Sequence, residues 1–125
     1  MTASRIAHSL QEMLDSTPGV TGCALVDGSS GLVWHRCGQE TDNGEPLWEA
    51  AVDYWRLHGR LQHHFSSLGD LGAAVMYHRD GILAILPCLR EPDLLVVCRA
   101  DHQAVDWRLW QRRIAALAQD VRSML

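Results

Sequence analysis

Apolar residues recur every three to four positions in three stretches of the chain, which is the spacing of one face of an α-helix. These stretches are residues 4–15, 46–65 and 103–125. Pro46 suits the first turn of a helix, because the N–H that proline lacks would have no intrahelical partner there. Asp101 precedes the last stretch and is expected to be its N-cap. The pattern therefore predicts three helices.

Five short apolar runs lie between the helical stretches and predict β-strands. They are residues 20–27, 32–37, 71–78, 82–88 and 94–98. The first two runs are joined by a Gly- and Ser-rich loop, and the third and fourth by Asp80-Gly81, which is a strong hairpin signal. The predicted element order is αββαβββα.

Three of the predicted strands, at residues 20–27, 82–88 and 94–98, are apolar at both alternating sets of positions. Both of their faces are therefore expected to be covered. The strands at 32–37 and 71–78 include polar residues, as edge strands do. Pairing the first strand with the fifth gives the spatial order 2-1-5-4-3, which places the apolar strands inside. We expect an α+β fold in three layers, α/β/α, around a five-stranded antiparallel sheet.

The composition is that of one small globular domain, residues 1–125, with 47% hydrophobic and 21% charged residues. The 11 basic and 15 acidic side chains give a formal charge of −4, and the longest cationic run is Arg112-Arg113. Nucleic-acid binding needs clustered cations, so we expect no nucleic-acid partner. No apolar run approaches the roughly 20 residues that span a bilayer, and residues 1–14 lack the apolar stretch of a signal peptide. A cytoplasmic protein is expected.

The predicted middle helix carries two apolar rows, which is more than a surface helix needs. The row expected to face the sheet comprises Leu47, Ala51, Tyr54, His58, Leu61 and Phe65. The other row, Trp48, Val52 and Trp55, then has no sheet to cover, and exposed aromatic rows are typical of interfaces. The third strand is an edge strand with few features that prevent pairing with another strand, so it could pair with a copy of itself. The predicted dimer interface therefore comprises Trp48, Val52, Trp55, Ala73, Val75 and Tyr77. The alternative is that a loop covers the tryptophan row.

The candidate chemical groups do not form a recognisable site. His58, His63 and His64 lack the i, i+4 spacing of a chelating pair, and Cys37 lies two residues after His35 without a third orienting group. The four cysteines contain no C-x-x-C pair and are expected to be reduced, buried thiols. No phosphate-binding loop, nucleophile elbow or dinucleotide fingerprint is present. We expect no catalytic, cofactor or metal site; a small enzyme that uses Cys37 or the histidines is a rival hypothesis.

Residues 14–38 resemble the Roadblock/dynein light chain family. The residues that carry the resemblance are Pro18-Gly19-Val20, Gly22, Ala24-Leu25-Val26-Asp27 and Gly31-Leu32-Val33. The resemblance implies a profilin-like fold, with the first and last helices on one face of the sheet and the middle helix on the other. It also implies dimers that pair the third strand and pack the middle helices together.

The resemblance also carries a functional expectation. Members of the family are non-catalytic scaffolds and regulators of Ras-like small GTPases or adaptors in dynein motors, and the nearest bacterial role is the MglB-type partner of a polarity GTPase. A homodimer, or a heterodimer with a paralogue, and a small-GTPase partner are thus implied. The predicted partner surface is the polar row Asp53, Arg56, Arg60 and His63. The alternative is a small, acidic, dimeric type III secretion chaperone, a class that places three strands before the middle helix and two after it.

Overall fold

A computed structural model of the chain describes residues 2–38, 44–102 and 105–124. The elements follow the predicted order αββαβββα. They are α1 (Thr2–Ser16), β1 (Val20–Asp27), β2 (Val33–Gly38), α2 (Gly44–Leu61), β3 (Ala74–His78), β4 (Gly81–Leu89), β5 (Leu94–Ala100) and α3 (Trp107–Arg122). Two single 3₁₀ turns, Gln62–His64 and Ser66–Leu68, follow α2. In the described part of the chain two strands precede α2 and three follow it, which is the reverse of the order expected of a type III secretion chaperone.

The five strands form one antiparallel sheet in the order β2-β1-β5-β4-β3, as predicted. β1 and β5 pair through the register Cys23 with Cys98 and Ala24 with Val97, which places the first strand in the interior of the sheet. The residues of β1, β4 and β5 are almost all buried, because each of these strands has a neighbour on both sides and a helix layer above and below.

The helices divide between the two faces of the sheet as the resemblance implies. α1 and α3 cover one face, and α2 covers the other. Successive side chains of a strand point to opposite faces, so Leu25 packs with α1 and α3 while Ala24 packs with α2. Leu10 of α1 and Trp110 of α3 are fully buried. Ile6 and Met13 of α1 and Ile114, Leu117 and Val121 of α3 are also buried, and burying one aliphatic side chain of this size contributes about 1.5–3 kcal/mol.

The start of α3 differs from the prediction. The helix begins at Trp107, and its N-cap is Asp106, whose carboxylate accepts a hydrogen bond from the Leu109 amide at 3.0 Å. The assignment of Asp101 as N-cap is wrong, because the Asp101 amide donates to the Gly19 carbonyl at 2.9 Å and so continues the pairing beside β1. Residues 103, 104 and 125 of the predicted helix lie outside the described residues.

The connection from α2 to β3 is longer than predicted. α2 ends at Leu61 rather than at residue 65, and β3 begins at Ala74 rather than at residue 71. The Leu71 carbonyl accepts a hydrogen bond from Arg90, so the segment before β3 is held by a side chain and not by the strand ladder. Among the described residues, no helix combines the length and apolar character needed to cross a lipid bilayer.

Candidate interaction surface on the second helix and the third strand

The face of α2 that meets the sheet is not the predicted one. Trp48 and Val52 are only 4% and 1% exposed, and they pack with Ala51 against the sheet residues Ala24 and Val97. The expectation that Trp48 and Val52 lie uncovered at an interface is therefore wrong for this subunit. Trp55 is partly buried against the same cluster.

The geometry of a helix explains the error. Trp48, Ala51, Val52 and Trp55 stand at positions i, i+3, i+4 and i+7, which is the spacing of one stripe facing a core. The sequence interpretation assigned Ala51 to the other row and so divided this stripe in two. Periodicity alone gave two candidate stripes and could not select between them, because each contains large apolar residues.

The residues on the other side of α2 and just after it remain exposed. This surface, called here the α2 apolar flank, comprises Tyr54, Leu57, Leu61, Phe65 and Leu68, whose exposed fractions are 48%, 46%, 40%, 40% and 81%. Sequence analysis placed Tyr54, Leu61 and Phe65 toward the sheet and missed Leu57 and Leu68. The spacing of Tyr54, Leu57 and Leu61, at i, i+3 and i+7, is the signal that could have identified them.

The α2 apolar flank lies on the side of α2 that is nearer to β3. Leu47 lines a groove with His78 and with the residues that start β4. His58 lines a second groove with Phe65 and with residues 68–72, which lead into β3, and its ring stacks on Phe65 at 5.5 Å. Leu47 and His58 share one side of α2 with Tyr54 and Leu61 of the flank by helical spacing, so this side faces the β3–β4 turn and the segment that precedes β3.

β3 is the last strand of the sheet, and in the described chain only β4 pairs with it. Ala74 and Met76 pack on the α2 side of the sheet, and Ala73 and Val75 are partly buried on the α1 and α3 side. Tyr77, which is 69% exposed, shares the second side by alternation. The structure therefore does not bring the predicted interface residues together, because Ala73, Val75 and Tyr77 lie on the opposite face from Trp48, Val52 and Trp55.

Of the predicted partner-binding residues, Arg56 has a structural role within the subunit, and the other three are exposed. Arg56 donates hydrogen bonds to the carbonyls of Gly28, at 3.3 Å, and Ser29 in the β1–β2 turn. It also lies 3.6 Å from the Asp53 carboxylate, which is 79% exposed. Arg60 and His63 are exposed and make no contact with this turn.

The β1–β2 turn that receives Arg56 is itself fixed by a carboxylate. The side chain of Asp27 accepts hydrogen bonds from the Ser29 hydroxyl at 2.6 Å, the Ser29 amide at 2.8 Å and the Ser30 amide at 3.1 Å. These bonds, that from the Ser29 hydroxyl first, lower the pKa of Asp27. Burial and the nearby Asp27 charge raise the pKa of Asp93, whose carboxylate lies where a side chain on Gly28 would stand. A side chain at position 28 would therefore require the Asp93 carboxylate to move.

The described residues contain no group of three or more His, Cys, Asp or Glu side chains arranged to hold a metal ion. The rings of His63 and His64 lie 3.9 Å apart and tilted, without a third ligand beside them. Cys23, Cys88 and Cys98 are buried free thiols, as predicted, whereas Cys37 is only half-buried.

Comparison with known proteins identifies the fold. No family model matches the chain, and no curated protein matches it. Among solved structures, the Roadblock/LC7 domain from Streptomyces avermitilis has a TM-score of 0.79 at 18% identity, covering 94% of this chain and 95% of that one. The gliding protein MglB from Thermus thermophilus has a TM-score of 0.80 at 17% identity, covering 98% and 93%. An MglB described as having a tetrameric arrangement gives 0.82 at 18%, covering 100% and 93%. The chain therefore has the Roadblock/LC7 fold that residues 14–38 resemble.

Proposed function

We propose that this chain is a non-catalytic scaffold that forms a homodimer and, as a dimer, binds and regulates a Ras-like small GTPase. The observation that carries the proposal is the α2 apolar flank lying exposed beside the open edge of β3. Contiguous apolar surface next to an unpaired strand edge is uncommon in a monomer, because both features favour association.

A second copy of the chain satisfies both features at once. A two-fold axis perpendicular to the sheet at the β3 edge pairs β3 antiparallel with its copy and keeps both α2 helices on the same side. The two apolar flanks then face each other, since each lies between its own α2 and its own β3. This arrangement replaces the predicted contacts of Trp48 and Val52 with Tyr54, Leu57 and Leu61.

The polar side of α2 stays accessible in such a dimer. Asp53, Arg60 and His63 are exposed, and Asp53 lies 3.6 Å from Arg56, which bonds to the β1–β2 turn. Asp53 and Arg60 are seven residues apart and so share one side of α2. An exposed carboxylate and guanidinium close together provide charge complementarity for a protein partner. We infer a small GTPase as the partner because the resemblance of residues 14–38 implies an MglB-type partner of a polarity GTPase, and two of the similar solved structures are MglB proteins.

The first experiment measures the mass of the purified chain by size-exclusion chromatography with light scattering over a range of concentrations. We expect twice the chain mass at micromolar concentration, and a monomer at every concentration would contradict the dimer.

The second experiment measures binding of Ras-like GTPases from the same host, loaded with GDP or with a non-hydrolysable GTP analogue, by biolayer interferometry. We expect one GTPase to bind in one nucleotide state, with binding weakened by Arg60→Glu and retained by Arg108→Glu, which changes an exposed arginine of α3. Equal weakening by the two variants, or no binding by any GTPase in the set, would contradict the partner assignment while leaving the dimer untouched.

A further inference from the structure

Three cysteines form a row across the sheet. Cys37 of β2 is the register partner of Cys23 of β1, and Cys23 is in turn the partner of Cys98 of β5. Their side chains lie on the α1 and α3 face. The sulfurs of Cys23 and Cys37 are 3.2 Å apart, so the two thiols are in direct contact.

The two contacting thiols differ in access to solvent and in charge. Cys23 is fully buried, whereas Cys37 is half-buried on an edge strand that only β1 pairs in the described chain. The hydrogen-bonding contact with Cys23 lowers the pKa of Cys37, while the same contact and burial raise the pKa of Cys23. Cys37 is thus the accessible nucleophile, whereas Cys23 is a buried, protonated thiol in contact with it.

We propose that Cys23 and Cys37 are a redox-active pair that closes to a cross-strand disulfide by exchange with a small-molecule disulfide. In the first step the Cys37 thiolate attacks one sulfur of the small disulfide, forming a mixed disulfide and releasing one small thiolate. In the second step Cys23 loses its proton to solvent and attacks the Cys37 sulfur, releasing the second small thiolate. The two cysteines are oxidised by two electrons, and the small disulfide is reduced to two thiols.

The other two cysteines are poor competitors for this reaction. Burial raises the pKa of Cys98 to about 12 and that of Cys88 to about 11, so neither starts the exchange as a thiolate at neutral pH, whereas Cys23 enters the second step because its sulfur contacts that of Cys37. Cys98 is also fully buried in the central strand, where no disulfide in solution can reach it. The reaction is therefore expected to select Cys37 first and Cys23 second.

The bond would join the edge strand β2 covalently to β1. The α2 apolar flank and the β3 edge lie at the other side of the sheet, since β3 and β2 are its two outermost strands. Formation of this bond therefore does not require the proposed dimer or its partner.

The experiment treats the folded, reduced chain with oxidised glutathione, then unfolds it in denaturant to block the remaining thiols with iodoacetamide, and identifies bonds by tryptic mass spectrometry. The chain has no lysine, and its arginines separate all four cysteines into different tryptic peptides, with Arg36 lying between Cys23 and Cys37. We expect residues 6–36 joined to residues 37–56, with loss of two hydrogen atoms, and alkylation at Cys88 and Cys98.

Three variants make the test specific. Cys37→Ser should abolish the bond and leave Cys23 unmodified, whereas Cys88→Ser, the matched control, should form it like the unmodified chain. Cys23→Ser should retain a lasting glutathione adduct on Cys37, because the second thiol is missing. In the unmodified chain, a bond that includes Cys98 or Cys88, a lasting adduct on Cys37, or four free thiols would each overturn the proposal.

Discussion

The guanidinium of Arg56 donates a hydrogen bond to the backbone carbonyl of Gly28 at 3.3 Å and so ties the middle of α2 to the β1–β2 turn. A second bond runs from Arg56 to the Ser29 carbonyl. α2 is thus held by its buried face against the sheet and by one charged side chain at its polar margin. A residue expected from the sequence to meet a partner also has a structural role inside the subunit.

The first prediction concerns this tie. Arg56→Ala should lower the free energy of unfolding by about 1 kcal/mol, a value reduced from that of a charged hydrogen bond because the side chain is partly exposed. Urea unfolding followed by tryptophan fluorescence measures it. Arg60→Ala, on the same helix but without contacts to the turn, should change stability by less than about 0.5 kcal/mol. Equal effects of the two substitutions would show that the bonds to the turn contribute nothing.

The second prediction tests the corrected orientation of α2. Trp48→Ala removes a buried indole from the α2 side of the core and should cost about 3–5 kcal/mol. Tyr54→Ala, on the exposed flank, should cost much less in the monomer. Chemical denaturation at a protein concentration low enough to dissociate any dimer separates the two. If Tyr54→Ala were the more damaging change, the orientation predicted from the sequence would be restored.

The third prediction concerns association. Leu57→Glu places a charge on the α2 apolar flank and should convert the dimer to a monomer, because a carboxylate buried between two copies would be unpaired. Leu32→Glu makes the same chemical change at a leucine that is 63% exposed in the β1–β2 turn, and should leave the dimer intact. Light scattering gives the mass, and circular dichroism checks that both variants fold. A Leu57→Glu chain that keeps the dimer mass would remove this flank from the interface.

The fourth prediction concerns pH. Hydrogen bonds from Ser29 and Ser30 hold the pKa of Asp27 below its usual value of 3.8, so the folded state favours the ionised carboxylate. Its contribution to stability is complete above the unfolded pKa and is lost as the pH falls through the folded pKa. Asp27→Asn should therefore be less stable than the unmodified chain near neutral pH, and the difference should shrink in acid.

Urea unfolding from about pH 7 down to about pH 3 measures this linkage. Asp70→Asn, at an exposed carboxylate in the segment before β3, serves as the control and should leave the acid dependence unchanged. A difference between Asp27→Asn and the unmodified chain that is constant across the range would rule out ionisation of Asp27 as its cause.

The sheet could be predicted from the sequence because its signals are local and mutually consistent. The run at residues 20–27 and the hairpin at Asp80-Gly81 both lie where the pattern places them. Central strands could be distinguished from edge strands in the sequence, because a strand with both faces covered has no alternating set of polar residues.

The surface of α2 could not be predicted in the same way. Whether Trp48 or Tyr54 faces the sheet depends on the fit of whole side chains against Ala24 and Val97, which are distant in the sequence. Arg56 and Gly28 are also far apart in the sequence, and no local sequence pattern indicates that they form a hydrogen bond. The contact between Cys23 and Cys37 depends on the exact register of β1 and β2, which the sequence of the loop between them does not determine.

The pairing of β1 with β5 has a consequence for synthesis of the chain. β1 leaves the ribosome well before β5, the neighbour that covers its inner edge and that is completed only at Ala100. Until then the apolar edge of β1 in the β1–β2 hairpin lacks its neighbouring strand β5, and non-local strand pairings of this kind form slowly. α1 precedes this hairpin and contacts both β1 and β2 in the folded chain, so it is the element available to cover the hairpin before β5 emerges.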